Sequence, residues 1–273
     1  MRDRPGARTE LGNFLATRRR QLEPGQVGLP AVGRRRVSGL RREEISLLSG
    51  VSLTWYTWLE QGRDVNPSRQ VLTALARTLQ LSPAEQRYVL ALGGHTGEEG
   101  RTKQDLPDHG QDFLDALGPS PAYAITDRWD IVGWNRAYEL LYPGVADVAE
   151  ANRNLLWLVF TDPSVRDLLN DWDADSQRFL AQFRAEAATR VGTPDFTRLI
   201  DQLKSVSETF RNLWEIHDVD GFVSTSRHFR HTVVGPLNFE HHQLMFADAP
   251  QLQVVAYTAA DHATAESFGQ YFY

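Results

Sequence analysis

Five histidines in the last quarter of the chain are the residues best suited to acid–base or metal chemistry: His217, His228, His231, His241 and His242. On a strand, His228 and His231 would face opposite sides, and so would the adjacent His241 and His242. The chain has no cysteine, no His-Glu-x-x-His motif, no glycine-flanked nucleophilic serine and no glycine-rich phosphate loop. The pattern therefore argues against an enzyme and predicts neither a metal nor another cofactor.

A second group of residues has the spacing of a helix that reads DNA. Gly50 permits a sharp turn between two predicted helices, and the side chain of Val51 would be buried in the core beneath that turn. In the next helix Tyr56 and Leu59 share the buried face. The opposite face, with the start of the helix, carries Ser52, Leu53, Thr54, Thr57, Trp58 and Gln61. Thr and Gln hydrogen-bond base edges, and Leu53 or Trp58 would contact a thymine methyl group, so this face is typical of major-groove recognition. The alternative is a helical hairpin used for protein contact.

Arginines flank this predicted reading helix. The candidates for phosphate contact are Arg34, Arg35, Arg36, Arg41, Arg42, Arg63 and Arg69. Residues 1–90 hold 15 Arg, no Lys and 8 acidic residues, which gives a net charge of +7. Residues 91–273 hold 14 basic and 27 acidic residues, which gives a net charge of -13, and the two parts sum to -6. Because phosphate contacts supply affinity for any DNA sequence, this asymmetry predicts double-stranded DNA as the partner of the first ninety residues alone.

Five short helices in residues 1–93 are expected to position these residues. Their expected starts are the cap Thr9, Leu40, Leu53, the pair Pro67-Ser68 and the capping box Ser82–Glu85. The second helix would run to Ser49 and bury Leu40, Ile45 and Leu48, and the third would run to Gln61 before a stop at Gly62. Glycines and prolines over residues 24–33 indicate a loop. Residues 94–109 have no apolar period and are interpreted as a linker to a second domain, residues 110–273.

The second domain alternates strand and helix patterns. The expected strands are Ala122–Thr126, Ile131–Trp134, Gly221–His231, Leu237–Phe246 and Leu252–Thr258. Helical patterns lie between the second and third strands, with starts at Asp162-Pro163 and Thr193-Pro194, and end near His217. The order ββ-helices-βββ predicts an α+β domain with one antiparallel sheet and helices on one face.

Aromatic residues are abundant in this second domain, which holds five of the seven tryptophans. One hypothesis is an apolar pocket with a few polar anchors, Asn135, His217 and His231. The candidate ligand-binding residues are Trp134, Asn135, Tyr138, Trp157, Phe160, Trp172, Phe179, Trp214, His217 and His231. A ligand with an acyl or aromatic body and a carboxylate head would suit them, since a protonated His pairs with a carboxylate. The alternative is that these aromatic residues only build the core.

The chain resembles the MmyB-like branch of the Xre-type helix-turn-helix regulators. In residues 10–92 the similarity rests on the runs LGNFL (11–15), RRR (18–20), GLP (28–30), RRR (34–36), GLRREE (39–44) and LEQGR (59–63), and on Pro67-Ser68 before Val71-Leu72. Beyond the linker it rests on WNR (134–136), WLVF (157–160), Asp162-Pro163, Trp172, Phe210, Leu213-Trp214, HDV (217–219) and Val234-Gly235. The resemblance implies a PAS-like C-terminal domain that binds small, partly apolar molecules.

Together these observations predict a transcription regulator with a helix-turn-helix domain and a PAS-like sensor domain. We expect it to bind an operator, to respond to a small, largely apolar ligand, to form a homodimer and to act in the cytoplasm without a membrane partner. Two alternatives stay open. One is a constitutive regulator whose second domain only dimerises or recruits partners, and the other is a ligand-modifying enzyme with a DNA-binding tether.

Overall fold

A computed structural model of the chain describes residues 5–29, 39–95, 106–221, 226–249 and 251–273. The chain forms two compact units. The first, which we call the helical unit, contains the N-terminal segment to Glu98 together with Arg184–Gln202 and Arg211–Gly221. The second, which we call the sheet unit, contains Glu99–Phe183, Leu203–Phe210 and Phe222–Tyr273.

Five α-helices lie in the described part of the N-terminal segment of the helical unit. They are α1 (Pro5–Gln21), α2 (Arg42–Ser49), α3 (Leu53–Glu60), α4 (Arg69–Thr78) and α5 (Pro83–Leu92). Hydroxyl caps start three of them: the side chains of Ser52, Ser68 and Ser82 accept hydrogen bonds from the backbone at the starts of α3, α4 and α5. Gly50 ends α2 with φ 73°, which allows the tight turn into α3.

Several predicted boundaries in this segment need correction. The first helix starts at Pro5 rather than after Thr9, because a proline fits the first turn of a helix. The second starts at Arg42, two residues later than expected, with Leu40 buried before it. Leu48, which we expected to be buried, is 39% exposed, so Leu40 and Ile45 alone of the three fill the core. The predicted loop contains a 3₁₀ turn at Pro24–Val27.

A five-stranded antiparallel sheet organises the sheet unit, with strand order β2-β1-β5-β4-β3. The strands are β1 (Ala122–Ile125), β2 (Ile131–Trp134), β3 (Ser226–His231), β4 (Gly235–Met245) and β5 (Gln253–Ala259). The remaining α-helices of the described residues are α6 (Gly110–Ala116), α7 (Arg136–Leu141), α8 (Leu155–Thr161), α9 (Pro163–Leu168), α10 (Trp172–Glu186), α11 (Pro194–Val206), α12 (Glu208–Trp214) and α13 (His262–Phe272). The predicted fold class, a helical domain followed by an α+β domain, is confirmed.

Two helices of the sheet unit were missed, and one of them corrects the expectation that helices cover one face of the sheet. Leu114 of α6 packs with Ala122 and Ala124 on β1 and with Val254 and Ala256 on β5. The alternate residues, including Tyr123 and Tyr257, point to the other face, where α7 to α10 contribute their side chains. The other missed helix is α13, whose Phe268 packs on Phe239 of β4. The ends of the other four strands differ from the prediction by at most two residues. The third strand starts at Ser226 rather than at Gly221, which lies in no strand, and residues 222–225 lie outside the described residues.

Candidate DNA-reading helix and ligand cavity

The two faces of α3 differ in exposure. Tyr56 and Leu59 are buried in the core of the helical unit. The predicted reading face is accessible: Ser52, Leu53, Thr54 and Gln61 are exposed, and Thr57 and Trp58 are half-buried. The structure therefore leaves donors and acceptors free to meet base edges along this face.

A buried carboxylate holds α3 in place. Glu60 accepts hydrogen bonds from Nε of Arg19 at 2.5 Å and from Nε of Arg42 at 2.6 Å. Burial alone would raise the pKa of Glu60, but the hydrogen bonds from Arg19 and Arg42 lower it below the ordinary value, so the group is ionised. Sequence reasoning did not single out Glu60 or Arg19, since nothing local marks an ion pair between residues 41 positions apart.

The helices α1 and α3 also approach closely. A Cβ atom placed on Gly12 of α1 would lie 2.7 Å from the carbonyl oxygens of Leu59 and Glu60. Glycine is required at this point because no side chain fits between the two backbones.

The predicted phosphate-contacting arginines have different surroundings. Arg41 is exposed. The guanidinium carbon of Arg63 lies 6.0 Å from the centre of the Trp58 ring. Arg69 donates a hydrogen bond to the carbonyl oxygen of His95 at 2.7 Å. Arg42 is paired with Glu60 while its side chain stays 43% exposed. Arg34, Arg35 and Arg36 lie outside the described residues.

A cavity of about 460 Å³, including its opening to solvent, lies in the sheet unit. Its walls are almost entirely apolar or aromatic and come from the sheet and from α7 to α10. They are Tyr123, Tyr138, Leu141, Tyr142, Leu155, Leu158, Val159, Val165, Leu168, Leu169, Phe179, Phe229 and Tyr257.

Tyrosines supply the polar atoms of these walls. Tyr123 packs against Tyr138 with ring centres 4.5 Å apart and against Tyr257 at 6.3 Å. Burial raises the pKa of Tyr123 and Tyr138 well above the ordinary value, so both hydroxyls stay protonated. The hydroxyl of Tyr142 donates to Oδ2 of Asp162 at 2.6 Å. The cavity can thus offer neutral hydroxyl groups inside an apolar enclosure.

Of the predicted ligand-binding residues, Tyr138 and Phe179 line this cavity, and the four tryptophans do not. The Trp134 ring lies 4.8 Å from the guanidinium carbon of Arg153. Trp172 donates from its indole nitrogen to the carbonyl of Val159 at 2.8 Å, with Phe160 packed on its ring. Trp157 is half-buried on α8, and Trp214 belongs to the helical unit, where its ring lies 4.0 Å from the guanidinium carbon of Arg184. The expectation that four indoles wall one cavity is not met here.

The three expected polar anchors are used elsewhere. Asn135 caps α7: its side-chain oxygen accepts from Ala122 and Tyr138, and its nitrogen donates to Leu114 and Ser120. His231 closes the turn between β3 and β4, where Nδ1 accepts from the backbone of Val233 and Val234 and Nε2 lies 2.9 Å from the carbonyl of Leu140. None of the three is a wall of this cavity.

His217 belongs instead to an ionic cluster within the helical unit. Oε1 of Glu10 accepts from Nη1 of Arg184 at 2.5 Å and from the hydroxyl of Tyr88 at 2.6 Å, and Nδ1 of His217 lies 3.1 Å from the same oxygen. Burial would raise the pKa of Glu10, but the hydrogen bond with His217 and the charge of Arg184 lower it to about 2. The cluster joins the first helix to two later segments of the chain.

These features define a class of protein, a helix-turn-helix DNA-binding protein with an α+β domain that holds an apolar cavity. A helix-turn-helix family model matches residues 10–89, and the model of the MmyB-like transcription regulator ligand binding domain matches residues 106–268. The chain belongs to the MmyB-like transcription regulators, and it is a DNA-binding transcription regulator. No curated protein sequence matches it. Both families are regulator domains.

Two further findings concern the residues that the structure describes. None of their helices is both long and apolar enough to cross a membrane. No group of three or more His, Asp or Glu side chains among them is placed to hold a metal ion.

Proposed function

We propose that this transcription regulator is controlled by a small, largely apolar ligand that binds in the cavity of the sheet unit. The cavity carries the proposal: its walls of leucine, valine, phenylalanine and tyrosine are suited to an acyl or aromatic body. The match to a ligand-binding domain supports the same function.

On the DNA side, we assign base readout to Thr54, Thr57 and Gln61, with Ser52, Leu53 and Trp58 beside them. The arginines supply phosphate contacts, and Arg41 and Arg63 are exposed for that role. The regulator acts as a homodimer in the cytoplasm, and neither unit catalyses a reaction.

The mechanism is a population shift. A ligand that binds one arrangement of the sheet unit more tightly raises the population of that arrangement, and operator affinity changes by at most the same differential free energy. A ligand that binds the folded chain and not the unfolded chain stabilises the fold by mass action, by about 2.7 kcal/mol at a hundredfold excess over the dissociation constant.

The test combines a search for a bound molecule with a measurement of operator binding. Native mass spectrometry of the purified protein looks for a co-purified small molecule, and a thermal-shift screen uses medium-chain and aromatic acids. We expect at least one compound to raise the melting temperature and to change operator affinity in fluorescence anisotropy. Leu158→Trp, which fills the cavity, should abolish both effects.

Leu244→Trp is the matched control, because Leu244 is an exposed leucine on β4 outside the cavity walls. It should respond to ligand as the original chain does. If no compound binds and none co-purifies, the sheet unit does not sense a ligand. The results would then favour a constitutive regulator over a ligand-controlled one.

A further inference from the structure

The carboxylate of Glu60, the last residue of α3, lies between two arginines that come from other helices. Nε and Nη2 of Arg19 on α1 donate to the two carboxylate oxygens, at 2.5 Å and 3.2 Å. Nε of Arg42, the first residue of α2, donates to Oε2 at 2.6 Å. A single carboxylate therefore connects α1, α2 and α3.

The two arginines differ in how their guanidinium groups are used. Arg19 is buried, and its Nη1 donates to the carbonyl oxygen of Leu40 at 2.7 Å, so protein groups hold all of its guanidinium nitrogens. Arg42 bonds Glu60 through Nε, and its side chain stays 43% exposed. A guanidinium carries five N–H groups, and this bond uses one of them. Arg42 can therefore donate to a second acceptor without leaving Glu60.

The position of Arg42 in the helix-turn-helix indicates what that second acceptor is. In this motif the first helix of the pair crosses the DNA backbone while the second lies in the major groove. Arg42 opens the first helix, α2, and the preceding Arg41 is exposed. Two arginines and one carboxylate give the cluster a net positive charge, so it attracts a backbone phosphate.

We propose that Glu60 is a positioning residue for DNA binding: it holds the guanidinium of Arg42 so that the Nη nitrogens meet a backbone phosphate. This inference rests on the phosphate contacts assigned to the arginines in the proposed function, and it does not depend on a ligand. A free arginine side chain loses rotamer freedom when it binds a phosphate, whereas one already bonded through Nε has lost part of it beforehand. Because only 1% of the Glu60 side chain is exposed, Glu60 acts through Arg42.

The first variant is Glu60→Gln in the full chain, with a DNA duplex of random sequence as the probe. An amide offers one acceptor oxygen where the carboxylate offers two, so the side chain no longer accepts from both arginines on separate oxygens, and the exposed Arg42 is released. Fluorescence anisotropy over a range of salt should show binding weaker by about threefold or more and a salt slope smaller by up to about one unit. A purely electrostatic role predicts the opposite sign, because removing a negative charge near phosphates would tighten binding.

Arg42→Lys guards against a variant that simply misfolds, because it keeps the net charge and leaves the buried pair of Glu60 with Arg19 intact. Lysine lacks the planar fork that faces Glu60 through Nε and a phosphate through the Nη groups, so this variant should bind the duplex about twofold more weakly or worse. All affinities are measured at a temperature where circular dichroism shows each variant to be folded. Binding as tight as that of the original chain would overturn the inference.

Two comparisons separate positioning from a general loss of charge or stability. Arg42→Gln removes the contact, so in that background Glu60→Gln should no longer weaken binding, whereas losses that multiply would make Glu60 a structural residue only. Arg77→Gln is the control, since it makes the same charge change at an exposed arginine on α4 and should alter affinity by less than about twofold.

The outcomes also distinguish this inference from the assignment on which it rests. If Arg42→Gln weakens binding no more than Arg77→Gln does, Arg42 makes no phosphate contact, and that part of the proposed function fails together with the inference. If Arg42→Gln weakens binding and Glu60→Gln does not, the phosphate contact stands and the inference alone is overturned.

Discussion

Exposure divides the side chains of α3 into a set that holds the fold and a set that can touch DNA. Tyr56 and Leu59 belong to the first set, and Thr54 and Gln61 to the second. Because Thr54 is exposed at the start of the helix, its hydroxyl is free to hydrogen-bond a base edge. Thr54→Ala should therefore weaken operator binding by about 1–3 kcal/mol and leave binding to random DNA nearly unchanged.

Fluorescence anisotropy with operator and scrambled duplexes measures both affinities. Thr73→Ala is the control, since the Thr73 hydroxyl donates to the carbonyl of Arg69 within α4. An equal loss on both duplexes would remove Thr54 from base readout.

At the scale of the elements, α1 and α3 approach each other closely at Gly12. A methyl group there would meet two carbonyl oxygens at 2.7 Å, so the helices must separate. We expect Gly12→Ala to lower the free energy of unfolding by about 1–3 kcal/mol despite the better helix propensity of alanine. Because α3 would move with its contacts, operator affinity should fall as well.

Urea denaturation measures the loss, and Gly269→Ala in α13 is the matched control. No heavy atom lies within 4 Å of a Cβ atom at Gly269, so that variant should gain up to about 1 kcal/mol from helix propensity. Similar stabilities of the two variants would show that the α1–α3 contact tolerates a methyl group.

At the scale of the whole molecule, the ionic cluster around Glu10 joins residues that lie 174 and 207 positions apart. The pKa of Glu10 is about 2 in the folded chain, below the ordinary value of 4.5. A carboxyl group whose pKa is lower in the folded chain than in the unfolded chain stabilises the fold at any pH above the pKa of the unfolded chain. This contribution disappears as the pH falls from about 5 towards 2. The difference corresponds to about 3 kcal/mol at neutral pH.

Glu10→Gln keeps the shape of the side chain but cannot titrate. The free energy of unfolding of this variant should fall less steeply between pH 5 and pH 2.5 than that of the original chain, as measured by urea denaturation at each pH. Parallel curves would mean that Glu10 is not ionised against Arg184.

The sequence alone was sufficient to predict the helices of the N-terminal segment, the turn at Gly50, the capping box at Ser82 and the succession of two strands, helices and three strands. These features depend on residues a few positions apart: a hydroxyl reaches its own helix start, and an apolar period repeats within one element. The helix-turn-helix class follows from them, because the turn and the two faces of α3 are local properties.

The walls of the cavity, in contrast, were decided by tertiary structure. Tyr123, Tyr138 and Tyr257 come from β1, α7 and β5, and only the antiparallel register of β1 with β5 and the packing of α7 bring them together. The number of tryptophans does not identify the walls of this cavity, because a large ring with one polar atom packs equally well beside Arg153, Arg166 or Arg184. Pairs such as Arg19 with Glu60, or Arg184 with Glu10, leave no local pattern, since their partners are fixed by how distant segments pack.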